Sequence, residues 1–207
     1  MRIKEEYKEE YKQKITSIHR NIEDAIISYF SLCKIGEITK TFTFDKLTMF
    51  CAQDSLNCLQ TIITSLKKEF CLLVWCLCCD ISSSANTIPK LKNKLNDTYL
   101  DVKGALKVKT PKFDSETNNV LIYVRKKYIA HHDFDVSFGR ISLDDVFTQF
   151  SMFIELFNQL LVDGEMRLLY SINKSRMEKT KESCEHGVLQ LLDGETYKFF
   201  ETVGAMK

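Results

Sequence analysis

The stretch that decides the fold is residues 142–161, SLDDVFTQFSMFIELFNQLL. Ser142 has the side chain typical of a helix N-cap, and Asp144 and Asp145 follow in the first turn, where the helix dipole favours acids. The apolar side chains recur every three or four residues, at Leu143, Val146, Phe147, Phe150, Phe153, Ile154, Phe157, Leu160 and Leu161. This spacing places them on one face of a helix. We therefore predict an amphipathic helix that starts after Ser142 and ends near Gly164.

Apolar residues also recur at helical spacing on both sides of this stretch. The same periodicity predicts helices over residues 2–35, 44–79, 89–106 and 116–133, and one or two more after Glu165. Gly36 is the expected stop for the first of them. With only two prolines and seven glycines in 207 residues, few positions interrupt a helix. The expected fold class is all-α.

We expect one up-and-down helical bundle, residues 1–164, and a C-terminal helical extension, residues 165–207, packed on that bundle. The last hydrophobic side chains, in 189–192 and 197–200, either pack on the bundle or form a short hairpin around Asp193-Gly194. No repeat and no interdomain linker divides the chain.

The cysteines indicate core packing rather than metal binding or disulfides. Cys71, Cys76, Cys78 and Cys79 lie in an apolar helical run, with Cys58 upstream. Free cysteine behaves there as a small hydrophobe, whereas zinc sites usually take spaced pairs on turns. We expect no metal and no cofactor.

The other buried or aromatic candidates also favour ordinary structural roles. Trp75 and the phenylalanines of residues 147–157 are expected in the core or in a dimer interface. His19 is expected at the surface or half-buried. The longest apolar run, residues 70–79, is too short to span a bilayer, and the charged N-terminus lacks a secretory leader pattern. A cytoplasmic protein is the expectation.

The net charge of +1 predicts no partner, but the charge is unevenly distributed. Residues 90–127 contain ten Lys or Arg against four acids, and residues 133–165 contain seven acids against Arg140 alone. Charge runs are usually solvated helix faces. The basic side would also suit the phosphates of RNA.

Residues 125–133, RKKYIAHHD, hold the groups that RNA cleavage needs. Arg125 is a permanent cation whose planar fork matches two phosphate oxygens. His131 and His132 titrate near neutral pH and suit proton transfer. Lys126 and Lys127 add positive charge for a phosphate backbone.

The same residues resemble the signature of the HEPN superfamily (higher eukaryotes and prokaryotes nucleotide-binding domains), an arginine followed four to six residues later by a histidine. Five residues separate Arg125 from His131. The fuller pattern of Arg125, Lys127, Ala130, His131 and Asp133 is similar to that of the abortive-infection U-type branch. The resemblance implies a HEPN-like helical bundle.

It further implies a homodimeric endoribonuclease of phage-defence or toxin type, with an antitoxin or regulatory protein as a possible partner. Its RNA substrate could be tRNA. Arg125 would hold the scissile phosphate and His131 would act as base, with His132 assisting. Lys126, Lys127 and Asp133 would support RNA binding. The alternative is a non-catalytic HEPN scaffold that binds nucleic acid or a protein partner.

Helix geometry leaves the choice of histidine open. Six residues turn an ideal helix through about 600°, which puts His131 roughly 120° around the axis from Arg125. Seven residues bring His132 to within about 20° of it. Geometry favours His132 and the resemblance favours His131, which we prefer. A cleft between two protomers would remove the need for alignment within one helix.

Overall fold

The computed structural model describes residues 2–40, 53–131 and 142–192, without the side chains of residues 39–40, 53–59, 127–131 and 191–192. Within these ranges the chain is helical, which confirms the all-α prediction for them. The helices are α1 (Lys8–Lys40), α2 (Gln53–Cys78), α3 (Ile88–Lys94), α4 (Ser115–His131), α5 (Leu143–Leu160), α6 (Gly164–Tyr170) and α7 (Lys174–Leu192). A 3-10 turn, Glu5–Tyr7, precedes α1, and a π-helical turn, Leu95–Tyr99, follows α3.

The predicted start of α5 is confirmed and its predicted end is wrong. The Ser142 hydroxyl accepts a hydrogen bond from the Asp145 N–H at 3.1 Å, and the Asp145 carboxylate accepts one from the Ser142 N–H at 3.1 Å. This reciprocal capping box satisfies two otherwise unpaired N–H groups. The helix ends at Leu160, and Gly164 instead begins α6. The reason is Asp163, which caps α6 by accepting from the N–H groups of Glu165 and Met166.

Gly36 does not stop the first helix, which continues to Lys40. The preceding Leu32 and Ile35 are buried. Glycine inside a helix costs about 1 kcal/mol relative to alanine, less than two buried aliphatic side chains contribute. Tertiary packing therefore outweighs the local signal.

The helix predicted over residues 89–106 is shorter than expected. After the π-helical turn the backbone extends at Leu100, which pairs with Ile3 in the one strand-like bridge of the described residues. The Lys4 N–H donates to the Tyr99 carbonyl at 2.9 Å, and the Asp101 N–H donates to the Arg2 carbonyl at 3.0 Å. Pairing with the N-terminal segment replaces the helical bonds that periodicity predicted.

Two tyrosines of α1 fix it antiparallel to α5. The Tyr11 hydroxyl donates to the Leu160 carbonyl at 2.8 Å and accepts from the Val162 N–H at 3.2 Å. Eighteen residues later the Tyr29 hydroxyl donates to Asp144 at 2.8 Å. At 1.5 Å per residue, the tyrosines lie about 27 Å apart and their partners Asp144 and Leu160 about 24 Å apart. The two helices are therefore joined near both ends.

The core lies between α1, α2 and α5. The α1 stripe of Ile15, Ile18 and Ile22 is fully buried. The Tyr29 ring stacks on Phe147 with ring centroids 3.9 Å apart. Across this core α1 packs against α2, and on another face against α7.

The cysteines of α2 pack as predicted where their side chains are described. Cys71 and Cys78 are buried, and Cys76 and Cys79 are half-buried. Burial raises the pKa of the Cys71 thiol to about 12 and that of Cys79 to about 11. These thiols therefore stay protonated at neutral pH.

His19 is buried, with 6% of its surface exposed, contrary to the prediction of a surface or half-buried residue. Its Nδ1 lies 3.3 Å from a Glu23 oxygen, and the other Glu23 oxygen accepts from Arg176 of α7 at 2.7 Å. The ring packs edge-on against Tyr170. Burial lowers the pKa of His19, although Glu23 acts in the opposite direction. The cluster joins α1 to α6 and α7.

We expect Tyr11→Phe to lower the free energy of unfolding by about 0.5–1.5 kcal/mol, because the buried Leu160 carbonyl and the part-buried Val162 N–H lose their shared partner. Denaturant unfolding followed by circular dichroism measures it. Tyr170→Phe is the control, since its hydroxyl only accepts an exposed bond from Thr16. Equal effects of the two substitutions would contradict the role of Tyr11.

The free energy of unfolding should fall as the pH drops through 6.5, the ordinary pKa of histidine. In that range His19 takes up a proton in the unfolded chain, whereas the lowered pKa keeps it neutral in the folded protein. One such proton contributes at most about 1.4 kcal/mol per pH unit. His19→Gln should flatten this part of the stability–pH curve. A His19→Gln protein with the wild-type slope would refute the assignment.

Candidate functional site

The helix that carries the candidate site, α4, is fixed at its start by a side-chain network. The Asp114 carboxylate accepts from the Thr117 N–H at 2.7 Å, which caps the helix and lowers the pKa of Asp114. Gln149 of α5 accepts from the Asp114 N–H at 2.9 Å and donates to the Thr117 hydroxyl at 2.9 Å. The start of α4 is therefore attached to the middle of α5.

One turn and two turns further along, α4 buries Leu121 and Val124 completely. The next residue, Arg125, is half-buried and extends towards α2. Its guanidinium carbon lies 4.4 Å from the centre of the Trp75 ring. Cation–π contacts of this kind contribute about 0.5–2 kcal/mol, with more when they are desolvated. The contact restricts the rotation of the guanidinium.

Arg125 keeps an unused donor. Its Nε–H is buried and has no hydrogen-bond partner among the described residues. Arg125 and Asp80 both affect the nearby Cys76 thiol: burial raises the pKa of Cys76 most, Asp80 raises it further, and Arg125 lowers it. A positive and a negative group thus lie close to the C-terminal end of α2.

The described part of the chain contains only some of the predicted site. Arg125 is half-buried and Lys126 is exposed. Lys127 and His131 belong to α4, but their side chains are outside the described residues, as are His132 and Asp133 entirely. The predicted choice between His131 and His132 therefore stays a prediction.

The backbone of α4 constrains how Arg125 and His131 relate. The helix includes both residues, so ideal geometry separates their Cα atoms by about 9 Å along the axis and roughly 120° around it. Two such residues of one helix do not face the same direction.

Sequence reasoning missed the partnership of Trp75 with Arg125. It placed Trp75 in the core or in a dimer interface, and the 7% exposure of Trp75 agrees with the first of these. The residue is also the surface on which the arginine lies. No signal in the sequence identifies this pair, because it depends on how α2 and α4 cross.

Within the described ranges, no group of three or more His, Cys, Asp or Glu side chains converges as a metal site would require. None of the helices described is both long and apolar enough to span a membrane. Comparisons with models of known families, with curated proteins and with solved structures found no match to this chain.

We expect Arg125→Met to change the fluorescence of Trp75, the one tryptophan of the chain, because a cation directly over the indole is replaced by a thioether. The free energy of unfolding should fall by about 0.5–2 kcal/mol. Lys126→Met, one residue along on the exposed side, is the matched control. An Arg125→Met emission spectrum identical to that of the wild type would contradict the contact.

Proposed function

We propose that this protein is a metal-independent endoribonuclease with a HEPN-type site assembled from two copies of the chain. The observation that carries the proposal is Arg125, a half-buried arginine whose guanidinium lies over Trp75 and whose Nε–H has no hydrogen-bond partner among the described residues. Arginine oriented in this way suits the phosphoryl group of a transition state, since its charge is permanent and its donors are in a plane. The resemblance of residues 125–133 to the HEPN signature supports the same role.

The reaction needs one proton removed and one proton supplied. His131 would take the proton of a ribose 2′-hydroxyl, and the 2′-oxygen would attack the adjacent phosphorus. Arg125 would stabilise the negative charge of the pentacovalent phosphate. The bond from phosphorus to the 5′-oxygen then breaks, and an acid such as His132 would protonate the departing oxygen. The products are a 2′,3′-cyclic phosphate and a 5′-hydroxyl.

Two copies suit this chemistry better than one. The separation of about 9 Å and roughly 120° along α4 keeps Arg125 and His131 of one helix from sharing a phosphate directly. A dimer that brings two α4 helices together would place Arg125 of one copy opposite His131 of the other. Activity should then depend on protein concentration in the range where the dimer dissociates.

His131→Ala and Arg125→Lys should each reduce RNA cleavage in EDTA by about a hundredfold or more, the range typical of removing an acid–base group or a charge-stabilising donor. The measurement is gel analysis of purified tRNA and total RNA, with the 2′,3′-cyclic phosphate identified chemically. His186→Ala, a histidine of α7, should cleave like the wild type. Equal cleavage by wild type and His131→Ala would refute the proposal.

A non-catalytic nucleic-acid-binding scaffold is the second candidate. It is favoured by the burial of the Arg125 Nε, because an arginine that mainly joins α2 to α4 would have a structural role. This candidate implies RNA binding that depends on Lys126 and Lys127, with no cleavage at any protein concentration. A cyclic-phosphate product made by the wild type and absent with His131→Ala would exclude it.

A further inference from the structure

A second cluster of cations lies near the same end of α2. Residues 80–87 leave α2 and lead into α3, and between this loop and α1 is a recess of about 60 Å³. Three lysines line it: Lys14 of α1, and Lys90 and Lys94 of α3. The exposed hydroxyl-bearing residues Ser83 and Ser84 line it as well.

The ammonium groups of two of these lysines are oriented by neutral acceptors. The Lys14 Nζ donates to the Asn86 side-chain oxygen at 2.9 Å, and the Lys90 Nζ donates to the Ser82 carbonyl. These bonds fix the lysines without neutralising their charge. The Lys14 side chain is only 22% exposed, so it differs from a freely solvated surface lysine.

Among the described ion pairs, only one carboxylate pairs with lysines of this cluster. Glu10 lies 2.9 Å from Lys94 and 3.8 Å from Lys14, and the bond from Lys94 lowers the pKa of Glu10. The other nearby acid, Asp80, accepts from the Ser82 N–H at 2.9 Å within the loop. Three cations with one paired acid leave a net positive recess, which suits a phosphate group, since lysine binds phosphate as a point charge.

Arg125 and the loop that forms one wall of the recess both lie near the C-terminal end of α2. Arg125 lies over Trp75, three residues before the end of α2 at Cys78, and the loop begins at Asp80. An RNA strand that extends from Arg125 past the end of α2 could reach this loop. Its backbone carries a negative charge at every nucleotide.

We propose that the lysine recess binds a backbone phosphodiester of the RNA strand, away from the phosphate that is cleaved. This inference rests on the proposed function and names a further part of its substrate site. The recess would hold and orient the strand and would take no part in bond breaking. Because it recognises phosphate, it would not distinguish ribose from deoxyribose.

The test compares Lys90→Gln/Lys94→Gln with the wild type and with Lys174→Gln/Lys179→Gln, a control pair of exposed lysines on α7. The probes are a short single-stranded RNA with every 2′-hydroxyl methylated, which cannot be cleaved, and DNA of the same sequence. Dissociation constants are measured over a range of salt concentrations. We expect several-fold weaker binding of both probes by the recess variant. For this variant, the slope of the logarithm of the binding constant against the logarithm of salt concentration should be smaller in magnitude by about 0.7 for each phosphate that the protein no longer neutralises.

Two further measurements separate charge from structure and binding from catalysis. Lys90→Arg/Lys94→Arg keeps both charges and should bind like the wild type. On unmodified RNA, Lys90→Gln/Lys94→Gln should need a several-fold higher RNA concentration for half-maximal cleavage, because the strand is held less tightly. Thermal unfolding verifies that the variants are folded.

The outcomes distinguish this inference from the proposed function. Equal affinities and salt slopes for wild type and the glutamine variant would refute phosphate binding by the recess. Loss of cleavage in His131→Ala would still support the proposed ribonuclease activity. Weak binding by the arginine variant as well would also refute it, since charge would then not be the cause. A wild type that binds neither probe would overturn both proposals.

Discussion

The position of α1 is the constraint on which the rest of the structure depends, because α2, α5 and α7 all pack on it. Tyr11 and Tyr29 extend from α1 to opposite ends of α5, and the matched spacing of about 27 Å and about 24 Å allows both hydroxyls to bond without bending either helix. The apolar surface of α1 packs mainly against α2 and, on another face, against α7. A bundle with α1 at its centre follows.

The position of Arg125 depends on this arrangement in two ways, through the helix that carries it and through the helix that it contacts. Gln149 fixes the start of α4 on α5, and the buried Leu121 and Val124 set the rotation of α4 about its axis. The opposing surface, Trp75, belongs to α2, whose place is set by α1. The 4.4 Å contact therefore reports the relative placement of four helices, although only two residues make it.

What the sequence could predict depends on how far apart along the chain the interacting residues lie. The capping box at Ser142 is a contact between residues three apart, and it was predictable. The predictions at Gly36 and Gly164 were wrong because glycine signals a helix end only where packing or a neighbouring cap does not decide otherwise. The burial of His19 needs α7, whose Arg176 bonds to Glu23 across 153 residues of chain. The stacking of Arg125 on Trp75 needs a crossing geometry that periodicity does not contain.

The two cation sites have a physical property in common that bears on function. Arg125 is held on an indole ring, and Lys14 and Lys90 are held by neutral oxygen acceptors, so the positions of these charges are fixed before any ligand arrives. A ligand phosphate would not have to order these side chains, and the binding free energy would be correspondingly larger. Under the proposed function, the two cation sites would hold one RNA strand at two phosphates.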